Sequence, residues 1–553
     1  MAGLARKTII NQVLIPPGRR SEFLREVSDP DFSKRIGQAL RFLGIPQEEP
    51  LGTEHIPGEG EPVVVLANHR FGFKDGLQAA YELLKVRPDV KVVVQSAFKH
   101  MGFDNIDDLF LYVDNTKKKT ATGEMRKLID YLKKGGALVI FGDGLVSARN
   151  KKTRLIESFS WEPTGFNLAR MSEAKVLPLA VGGMLPQLFY AVRDYSMLLS
   201  KVLIPKFNIQ SEGRRIPLQF LPPILPKDIP TRKEREDLDA LAQSIKGKVD
   251  SAAQSLDVEL ELEELGEVVL EDPSLNQKIF LLPPSNKFPN TSTARAYGQA
   301  RMASFASVNQ RAEGKTGIDE FDKTFYQLIV WDEKSKKITG GYRLALGKDL
   351  KLNKLYNAQP GMFTFEKEFQ RVKDQGIELG RSFINVGSSS DKHFIQKTIN
   401  NLWKCIHRFI QQQHESGEDI RYLFGGVSLD GKLKNNLKQE IIGFYQHNYP
   451  ATKLQSVSAG RNEFKGKHNL KNETSRHLML KAKRDFPALF HLYFGLTDKA
   501  GAEAGPAVVN AHRGNCLELA ICFDLFHLKE DKDQLYGEGR YSIREHLRNQ
   551  FTE

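Results

Sequence analysis

The sequence predicts an α/β domain followed by an α+β domain with a mixed sheet. From residue 61 onward, short β-branched apolar runs such as residues 63–67 and 137–141 alternate with amphipathic helical stretches. This alternation is typical of a sheet with helices on its faces. An acidic stretch at residues 257–272 ends that pattern. A different one follows, in which two apolar strands flank a lysine-rich hairpin turn at residues 333–337.

Composition places the chain among large globular proteins. Its 553 residues, 40% hydrophobic and 27% charged, are enough for several domains with separate cores. The N-terminal segment lacks the apolar core of a signal peptide, and no run reaches the ~18 uncharged apolar residues that span a bilayer. Three cysteines are too few for a disulfide framework or zinc site, so we expect a cytoplasmic protein. The net charge of +12 predicts acidic partners, but no nucleic-acid-binding motif is present.

Four segments are predicted in the chain: an N-terminal helical arm (1–60), an α/β domain (61–256), an acidic linker (257–275) and an α+β domain (276–553). In the α/β domain the predicted strands are residues 63–67, 90–95, 109–113, 137–141 and 176–181, and the predicted helices are 76–85, 121–134, 165–174 and 233–256. In the α+β domain the predicted strands are residues 324–331, 338–346, 377–384 and 422–428 with further strands in 508–528, and the predicted helices are 297–305, 400–413 and 434–445.

The stretch VVVLANHRFGFKDG carries the first candidate site. It predicts a strand that ends at Asn68 and His69, a turn containing Gly72, and a helix that begins near Asp75. Open α/β sheets place their sites at the carboxyl ends of strands. A neutral imidazole can remove a proton from a hydroxyl near pH 7, and a carboxylate can fix its tautomer. The alternative is structural: His69 caps the helix and Asp75 is a carboxylate of its first turn.

A second motif, FGDGLVSAR, follows the strand at 137–141. Its candidate substrate-binding residues, together with Asn68 of the first motif, are Gly142, Asp143, Gly144, Ser147 and Arg149. Glycines at a strand end allow backbone amides to approach a ligand closely, so we expect these amides to form an oxyanion hole. The alternative is an ordinary turn from strand to loop.

Together these motifs resemble the lysophospholipid acyltransferase superfamily, over residues 62–223. There the histidine of a His-x4-Asp motif is the general base and the aspartate orients it, roles that the resemblance assigns to His69 and Asp75. Five residues separate the pair here, as in the branch found in ornithine lipid synthases and hemolysin-like proteins. Gly72 is expected to absorb the extra residue.

The second motif stands where glycerolipid acyltransferases carry FPEGTRS. Leu145 and Val146 replace its Thr-Arg, whose arginine contacts the acceptor's phosphate in those enzymes. This departure argues against a phosphate-bearing acceptor, with Arg149 or Arg154 as substitutes for the lost arginine.

The second half contains four short motifs in order: the acidic loop DEFD (319–322), the strand GGYRL with Arg343, the strand ELGRS with Glu378 and Arg381, and LFGGVSLDG. They resemble the acyl-carrier-protein-dependent N-acyltransferases of GNAT-like fold, including ornithine N-acyltransferase. NVGSSS (385–390) replaces the pyrophosphate loop of coenzyme-A-dependent relatives, which favours a carrier-protein donor.

From this resemblance, Glu378 is expected to position or deprotonate an amine, and Arg343 and Arg381 to clamp a carboxylate. The alternative is a buried Glu–Arg pair that ties strands together.

In domain order the chain resembles the bifunctional ornithine lipid synthases of bacteria. This implies that the C-terminal domain N-acylates ornithine with a 3-hydroxyacyl group from acyl-carrier protein, and that the N-terminal domain O-acylates the lyso-lipid. Expected partners are acyl-carrier protein, ornithine or another amino acid, a lyso-aminolipid and the anionic surface of a bacterial inner membrane. No bound cofactor or metal is expected. Alternatives are a lipid of glycine or another amino acid, a lysophospholipid acceptor, or a membrane- or carrier-recruiting protein with one inactive domain.

Overall fold

The chain divides into two compact units, Met1–Leu260 and Glu261–Glu553. The structure, a computed structural model, describes residues 19–96, 99, 104–114, 118–150, 155–209, 211–231, 234–308, 310, 316–350, 363–385, 392–460, 463–467, 488–510 and 513–551. Arg154 and most of the NVGSSS segment therefore lie outside the described residues.

The first unit is an α/β domain. Its helices are α1 (Arg20–Glu26), α2 (Phe32–Phe42), α3 (Phe73–Leu84), α4 (Lys118–Lys133), α5 (Thr164–Met171), α6 (Gln187–Tyr195), α7 (Met197–Ile209) and α8 (Arg235–Leu265). Its strands are β1 (Val63–Ala67), β2 (Val90–Gln95), β3 (Phe110–Val113), β4 (Ala137–Phe141), β5 (Ala148–Arg149), β6 (Ile156–Glu157), β7 (Lys175–Val181) and β8 (Leu218–Phe220).

Six of these strands form one sheet in the order β3-β2-β4-β1-β7-β8. All neighbours are parallel except β7 and β8, which are antiparallel. The predicted α/β fold is thus confirmed. Strand β1 lies between β4 and β7, so its carboxyl end, which carries His69, opens at the middle of the sheet edge.

Strand β1 is buried on both faces. Val63, Val65 and Ala67 belong to one hydrophobic core, and Val64 and Leu66 belong to another. Successive side chains of a strand point to opposite faces, so an unbroken apolar run is what a central parallel strand requires. The helical arm predicted for residues 1–60 contributes α1 and α2, whose apolar side chains join the first core.

The second unit is an α+β domain. Its strands are β9 (Glu267–Asp272), β10 (Gln277–Leu282), β11 (Tyr326–Asp332), β12 (Lys337–Leu346), β13 (Thr364–Phe365), β14 (Gly376–Ile384), β15 (Tyr422–Leu429), β16 (Val457–Ser458), β17 (Ala502–Asn510) and β18 (Cys516–Asp524). Its helices are α9 (Ser292–Ser307), α10 (Gln370–Asp374), α11 (Lys392–Glu415), α12 (Asn435–Asn448), α13 (Ala488–Phe494), α14 (Glu530–Gly537) and α15 (Ile543–Gln550).

Eight strands of this unit form a mixed sheet in the order β17-β18-β15-β14-β12-β11-β10-β9. Strands β14 and β15 are parallel, and every other neighbouring pair is antiparallel. The predicted mixed sheet is confirmed. The parallel pair places the motifs ELGRS and LFGGVSLDG side by side at the centre of the sheet.

The acidic stretch 257–275 is not the solvated linker that the sequence predicted. Its first part is the end of α8, and its second part is β9, the edge strand of the eight-stranded sheet. Acidic residues alternate there with apolar ones such as Leu260, Leu262 and Leu270, which are buried. Most of the charged side chains lie on the outer faces of this helix and strand, while Asp257 is buried. A high density of charge therefore does not by itself indicate a linker.

No helix in the described ranges is both long and apolar enough to span a bilayer. The largely apolar segment 187–209 forms two short helices, α6 and α7.

Gly425 is required where β14 and β15 pair. A Cβ there would lie 2.2 Å from the Leu379 carbonyl oxygen, whereas a Cβ on adjacent Gly426 would have as its nearest neighbour the Glu518 carboxylate at 3.4 Å. We therefore expect Gly425→Ala to lower the free energy of unfolding of the second unit by about 1–3 kcal/mol or more. Gly426→Ala, the matched control, should cost much less. Urea unfolding followed by tryptophan fluorescence measures both, and equal effects would contradict this packing.

Candidate active sites

His69 and Asp75 form a hydrogen-bonded pair at the carboxyl end of β1. His69 Nδ1 lies 2.9 Å from Asp75 Oδ2, with the carboxylate fully buried and the imidazole 17% exposed. A carboxylate can only accept here, so it holds the proton on Nδ1 and leaves Nε2 as the basic nitrogen. The two residues predicted as a dyad are thus in contact, with geometry suited to a general base.

Asp75 is fixed by the turn that precedes α3. Its Oδ2 accepts from the backbone amides of Arg70 (2.7 Å), Phe71 (2.9 Å) and Gly72 (3.1 Å). Gly72 has a φ of 83°, a conformation that glycine adopts without a steric penalty. Five residues therefore fit between His69 and Asp75, and the carboxylate both caps α3 and orients the imidazole. Asp75 therefore has the position of a first-turn helix carboxylate, which was the structural alternative, and the same position is compatible with its predicted role of orienting His69.

The FGDGLVSAR loop is tied to this turn by backbone hydrogen bonds. The amide of Gly142 donates to the Ala67 carbonyl (3.0 Å), and the amide of Ser147 donates to the His69 carbonyl (2.6 Å). The ring of Phe141 lies against the imidazole, with centroids 3.9 Å apart. The two motifs that the sequence singled out separately therefore form one site.

The glycine amides of this loop are not the oxyanion hole that the sequence predicted. Gly142 donates to Ala67, and Gly144 donates to the carbonyl of Phe141 (3.1 Å). Both N–H groups close the turn instead of facing a ligand. Gly142 is required for packing, because a Cβ would lie 2.3 Å from the Trp161 indole. Gly144 has a φ of 62° and open space beyond it.

The other predicted binding residues have defined positions. Asn68 is fully buried and bridges β1 to β7: its amide nitrogen donates to the Val181 carbonyl (2.9 Å), and its oxygen accepts from the Val181 amide (2.7 Å). Asp143 accepts from the backbone amides of Leu145 and Phe159, and burial raises its pKa. Arg149 donates to Gln187 and lies over the ring of Tyr190. Contact of these residues with substrate stays a prediction.

Three polar residues that were not among the predicted site residues are buried beside this site: Arg70, Tyr190 and Arg193. Arg70 directly follows His69, and the other two lie on α6, whose sequence is largely apolar. A charged residue inside an apolar pattern was the available signal.

In the second unit the acidic loop binds arginines of the protein. Arg343 donates to Asp319 (2.7 Å) and Asp322 (3.1 Å), and Arg301 donates to both oxygens of Asp322 (3.1 and 2.7 Å). Arg343 is fully buried, and its guanidinium lies 4.8 Å from the centre of the Phe325 ring. The two arginines hold the pKa of Asp322 well below its usual range. This network favours a structural role for Arg343.

Arg381 and Glu378 lie on β14, also buried. Arg381 has a φ of 54°, which is unusual for a strand, and its guanidinium lies 3.7 Å from Asp319. Glu378 pairs in register with Ala345 on β12, while Arg343 pairs with Gly380. Arg343 and Arg381 therefore both contact one carboxylate, that of Asp319.

Strands β14 and β15 separate beyond their first four residues. Their ladder ends at Leu379 and Gly425, while β14 continues along β12 to Ile384 and β15 continues along β18 to Leu429. Parallel strands that diverge in this way expose backbone donors and acceptors to an extended, amide-bearing chain.

Polar residues from β17, from β18 and from the segment between them lie on the β15 side of this divergence. Arg513 donates to Glu518 (3.0 Å) and contacts Ser428 of β15 (3.4 Å), and Asn510 also donates to Glu518 (2.9 Å). Sequence reasoning found no chemistry in residues 508–528, because these side chains meet only when the strands pair.

Two protein families match the chain. The family described as "Acyltransferase" matches residues 34–214, and the family described as "Acetyltransferase (GNAT) domain" matches residues 300–390. Each match falls on one of the two units. They confirm an acyltransferase-like domain followed by a GNAT-like domain.

Two curated relatives carry the name glycine N(alpha)-acyltransferase. The protein from Bacteroides thetaiotaomicron is 27% identical over 183 residues, 32% of this chain and 52% of its own length. The protein from Phocaeicola vulgatus is 26% identical over 141 residues, 24% of this chain and 42% of its own. The chain thus spans about half the length of the curated relatives it matches.

One solved structure, the 1-acyl-sn-glycerophosphate acyltransferase PlsC from Thermotoga maritima, is 18% identical with a TM-score of 0.26. The matched region covers 42% of this chain and 86% of the PlsC chain.

Lys74, beside Asp75 in the first turn of α3, is buried, with its Nζ 3.4 Å from the Ser211 hydroxyl. Burial lowers the pKa of Lys74 to about 8. Below pH 8 the folded state must bury a charge that the unfolded chain keeps in water. We therefore expect Lys74→Met to raise the free energy of unfolding at pH 7 by about 1–3 kcal/mol.

The gain from Lys74→Met should shrink between pH 8 and about 10.5, because there the unfolded lysine still binds a proton and the folded one does not. Urea denaturation at pH 7 and at pH 9.5 measures the trend. Lys133→Met on the exposed face of α4 is the matched control. A gain that is independent of pH would contradict the lowered pKa.

Proposed function

We propose that this chain, an acyltransferase with two domains of different type, makes an amino-acid-containing membrane lipid in two steps. The GNAT-like domain would N-acylate an amino acid with a 3-hydroxyacyl group. The N-terminal domain would then O-acylate the hydroxyl of that product. The observation that carries the proposal is the His69–Asp75 pair, whose remaining basic nitrogen can accept a hydroxyl proton.

In the O-acylation step, Nε2 of His69 takes the proton as the 3-hydroxyl oxygen attacks the thioester carbonyl. Asp75 stabilises the imidazolium that forms. The tetrahedral intermediate collapses, the carbon–sulfur bond breaks, and the leaving thiolate takes the proton back from the imidazolium. An ester and a free thiol result, so the step needs no redox partner.

In the N-acylation step, the amine of the amino acid attacks a thioester bound near the divergence of β14 and β15. The phosphopantetheine arm of acyl-carrier protein has two amides, which suit the backbone groups exposed there. Glu378 is our candidate for removing the amine proton, directly or through water. The protein's net charge of +12 favours an acidic carrier protein as donor.

Glycine is the head group that we place first, because the two curated relatives are named for acylating glycine. Ornithine is the second candidate, supported by the order of the motifs DEFD, GGYRL, ELGRS and LFGGVSLDG. Both amino acids offer the same α-amine to the first step and leave the same carboxylate for the second.

Association with the membrane surface is part of the proposal. Helix α6 buries Tyr190 and Arg193 beside the site and exposes Leu188 and Tyr195, while Met197 at the start of α7 is also exposed. Exposed apolar side chains beside a lipid-acylating site suit contact with the acyl region of a bilayer, and the positive net charge suits an anionic surface.

The first test expresses the chain in a bacterium without aminolipids and analyses its lipids by mass spectrometry. We expect a diacylated amino-acid lipid. His69→Ala and Asp75→Asn should lower O-acylation by about 100-fold or more and leave the monoacylated lyso-lipid, because a general base contributes roughly that much. His55→Ala, a histidine away from the site, is the control. Acylated lysophospholipid as the sole new product would overturn the proposal.

A second test concerns the amine. Glu378→Gln keeps the side chain's shape but removes its basicity, so we expect N-acylation of glycine or ornithine by purified protein and acyl-carrier protein to fall by about 100-fold. Glu368→Gln, at an exposed position of the same unit, should have no effect. If the Glu378→Gln variant keeps full activity and the same pH dependence, then Glu378 does not remove the amine proton and its role is structural.

A further inference from the structure

Two buried arginines of the N-terminal unit have no hydrogen-bond partner among the described residues. All three guanidinium nitrogens of Arg70 and of Arg193 lack one, although Arg70 is fully buried and Arg193 is 7% exposed. The hydroxyl of Ser147 is likewise buried without a hydrogen-bond partner among the described residues, and the buried hydroxyl of Tyr190 lies near the backbone amide of Leu185. Buried polar groups in this condition are costly and rare, and so many in one unit call for a ligand.

These groups converge on Tyr190. Arg149 lies 5.2 Å from the centre of its ring, and its phenol interacts electrostatically with Arg70. Arg193, one helical turn further along α6, interacts electrostatically with Tyr190 and with Asp143. Three guanidinium groups from three different segments therefore lie near one phenol.

The acids in this cluster do not balance the arginines. Asp257 lies 3.4 Å from Arg70 without a hydrogen bond between them, and burial raises its pKa to about 6. Its Oδ1 instead accepts from the Gly183 amide (2.6 Å). Burial also raises the pKa of Asp143. Three arginines thus lie near two carboxylates whose charged forms burial disfavours, so positive charge is in excess.

This cluster adjoins the dyad. Arg70 follows His69 in the chain, its amide binds the carboxylate of Asp75, and the amide of Ser147 binds the His69 carbonyl. An anionic group held by the arginines would lie a short chain of atoms from the imidazole. In an N-(3-hydroxyacyl) amino acid, the hydroxyl and the carboxylate are separated by such a chain.

We propose that Arg70, Arg193 and Tyr190 form the subsite that binds the carboxylate of the N-acylated amino acid while its hydroxyl faces His69. The inference rests on the proposed function, which makes that molecule the acceptor. Once the amine has become an amide, N-acylglycine carries the carboxylate as its single charge. A planar carboxylate pairs with guanidinium through two parallel hydrogen bonds, and the phenol adds a donor.

The test compares two ligands of nearly the same shape, of which only the first is charged: N-(3-hydroxyacyl)glycine and its primary amide. Binding of each to the full chain is measured by titration calorimetry with acyl chains short enough to stay monomeric. We expect the wild-type protein to bind the carboxylate about 10–100-fold more tightly than the amide. Arg193→Gln and Tyr190→Phe should reduce this ratio toward one while the affinity for the amide stays unchanged. Arg126→Gln, on the exposed face of α4, is the control.

Unchanged binding of the amide also shows that a variant has folded. Equal binding of both ligands by the wild-type protein, or equal losses for both ligands in the variants, would overturn the subsite. Turnover is scored separately with acyl-carrier-protein thioester. Preferential carboxylate binding without O-acylation would refute the proposed function and leave the subsite standing. If the protein binds lysophosphatidate more tightly than either ligand, then the subsite recognises a phosphate and not a carboxylate. That result would overturn the inference.

Discussion

The N-terminal site depends on one carboxylate. Asp75 accepts three backbone amides from the turn after β1 and, through the same oxygen, faces the Nδ1 of His69. Because the amides fix the carboxylate, the imidazole is oriented by the main chain and by the N-terminus of α3. The FGDGLVSAR loop then binds the same turn from the other side, through the His69 carbonyl. His69, Asp75 and the loop are thus joined by hydrogen bonds at the carboxyl edge of the sheet.

Two pairs of buried arginines, one in each unit, differ in their hydrogen bonds. Arg301 donates to Asp322 and to the Gly317 carbonyl, and Arg343 donates to Asp319 and Asp322, which makes both part of the framework of the GNAT-like domain. Arg70 and Arg193 are also buried, but neither has a hydrogen-bond partner among the described residues. The first pair explains why a conspicuous arginine in a strand motif is a poor guide to substrate binding. The second pair identifies where charge is available for a ligand.

The proposed pair of acyl transfers has a chemical rationale. In that proposal the product of N-acylation, an amphiphile with one acyl chain that resembles a detergent, would be the acceptor for O-acylation. Linking the two activities in one chain would raise the local concentration of that intermediate at the second site. Both proposed steps use a thioester and release a thiol, so one type of donor would serve both domains.

Local pattern determined much of this protein, because strand and helix periodicity and the position of a motif at a strand end are short-range properties. Strands at 63–67, 90–95 and 137–141 were predicted to the residue, and His69 and Asp75 were identified as a pair. Only the tertiary structure decided which donors can reach a ligand. In it the amides of Gly142 and Gly144 donate to backbone carbonyls that close a turn, and Arg343 donates to the acidic loop. It also brought Arg70 and Arg193 together from positions far apart in the chain, and turned an acidic stretch into helix and strand. Hydrogen-bond satisfaction depends on every neighbour in space, and the order of residues does not contain that information in readable form.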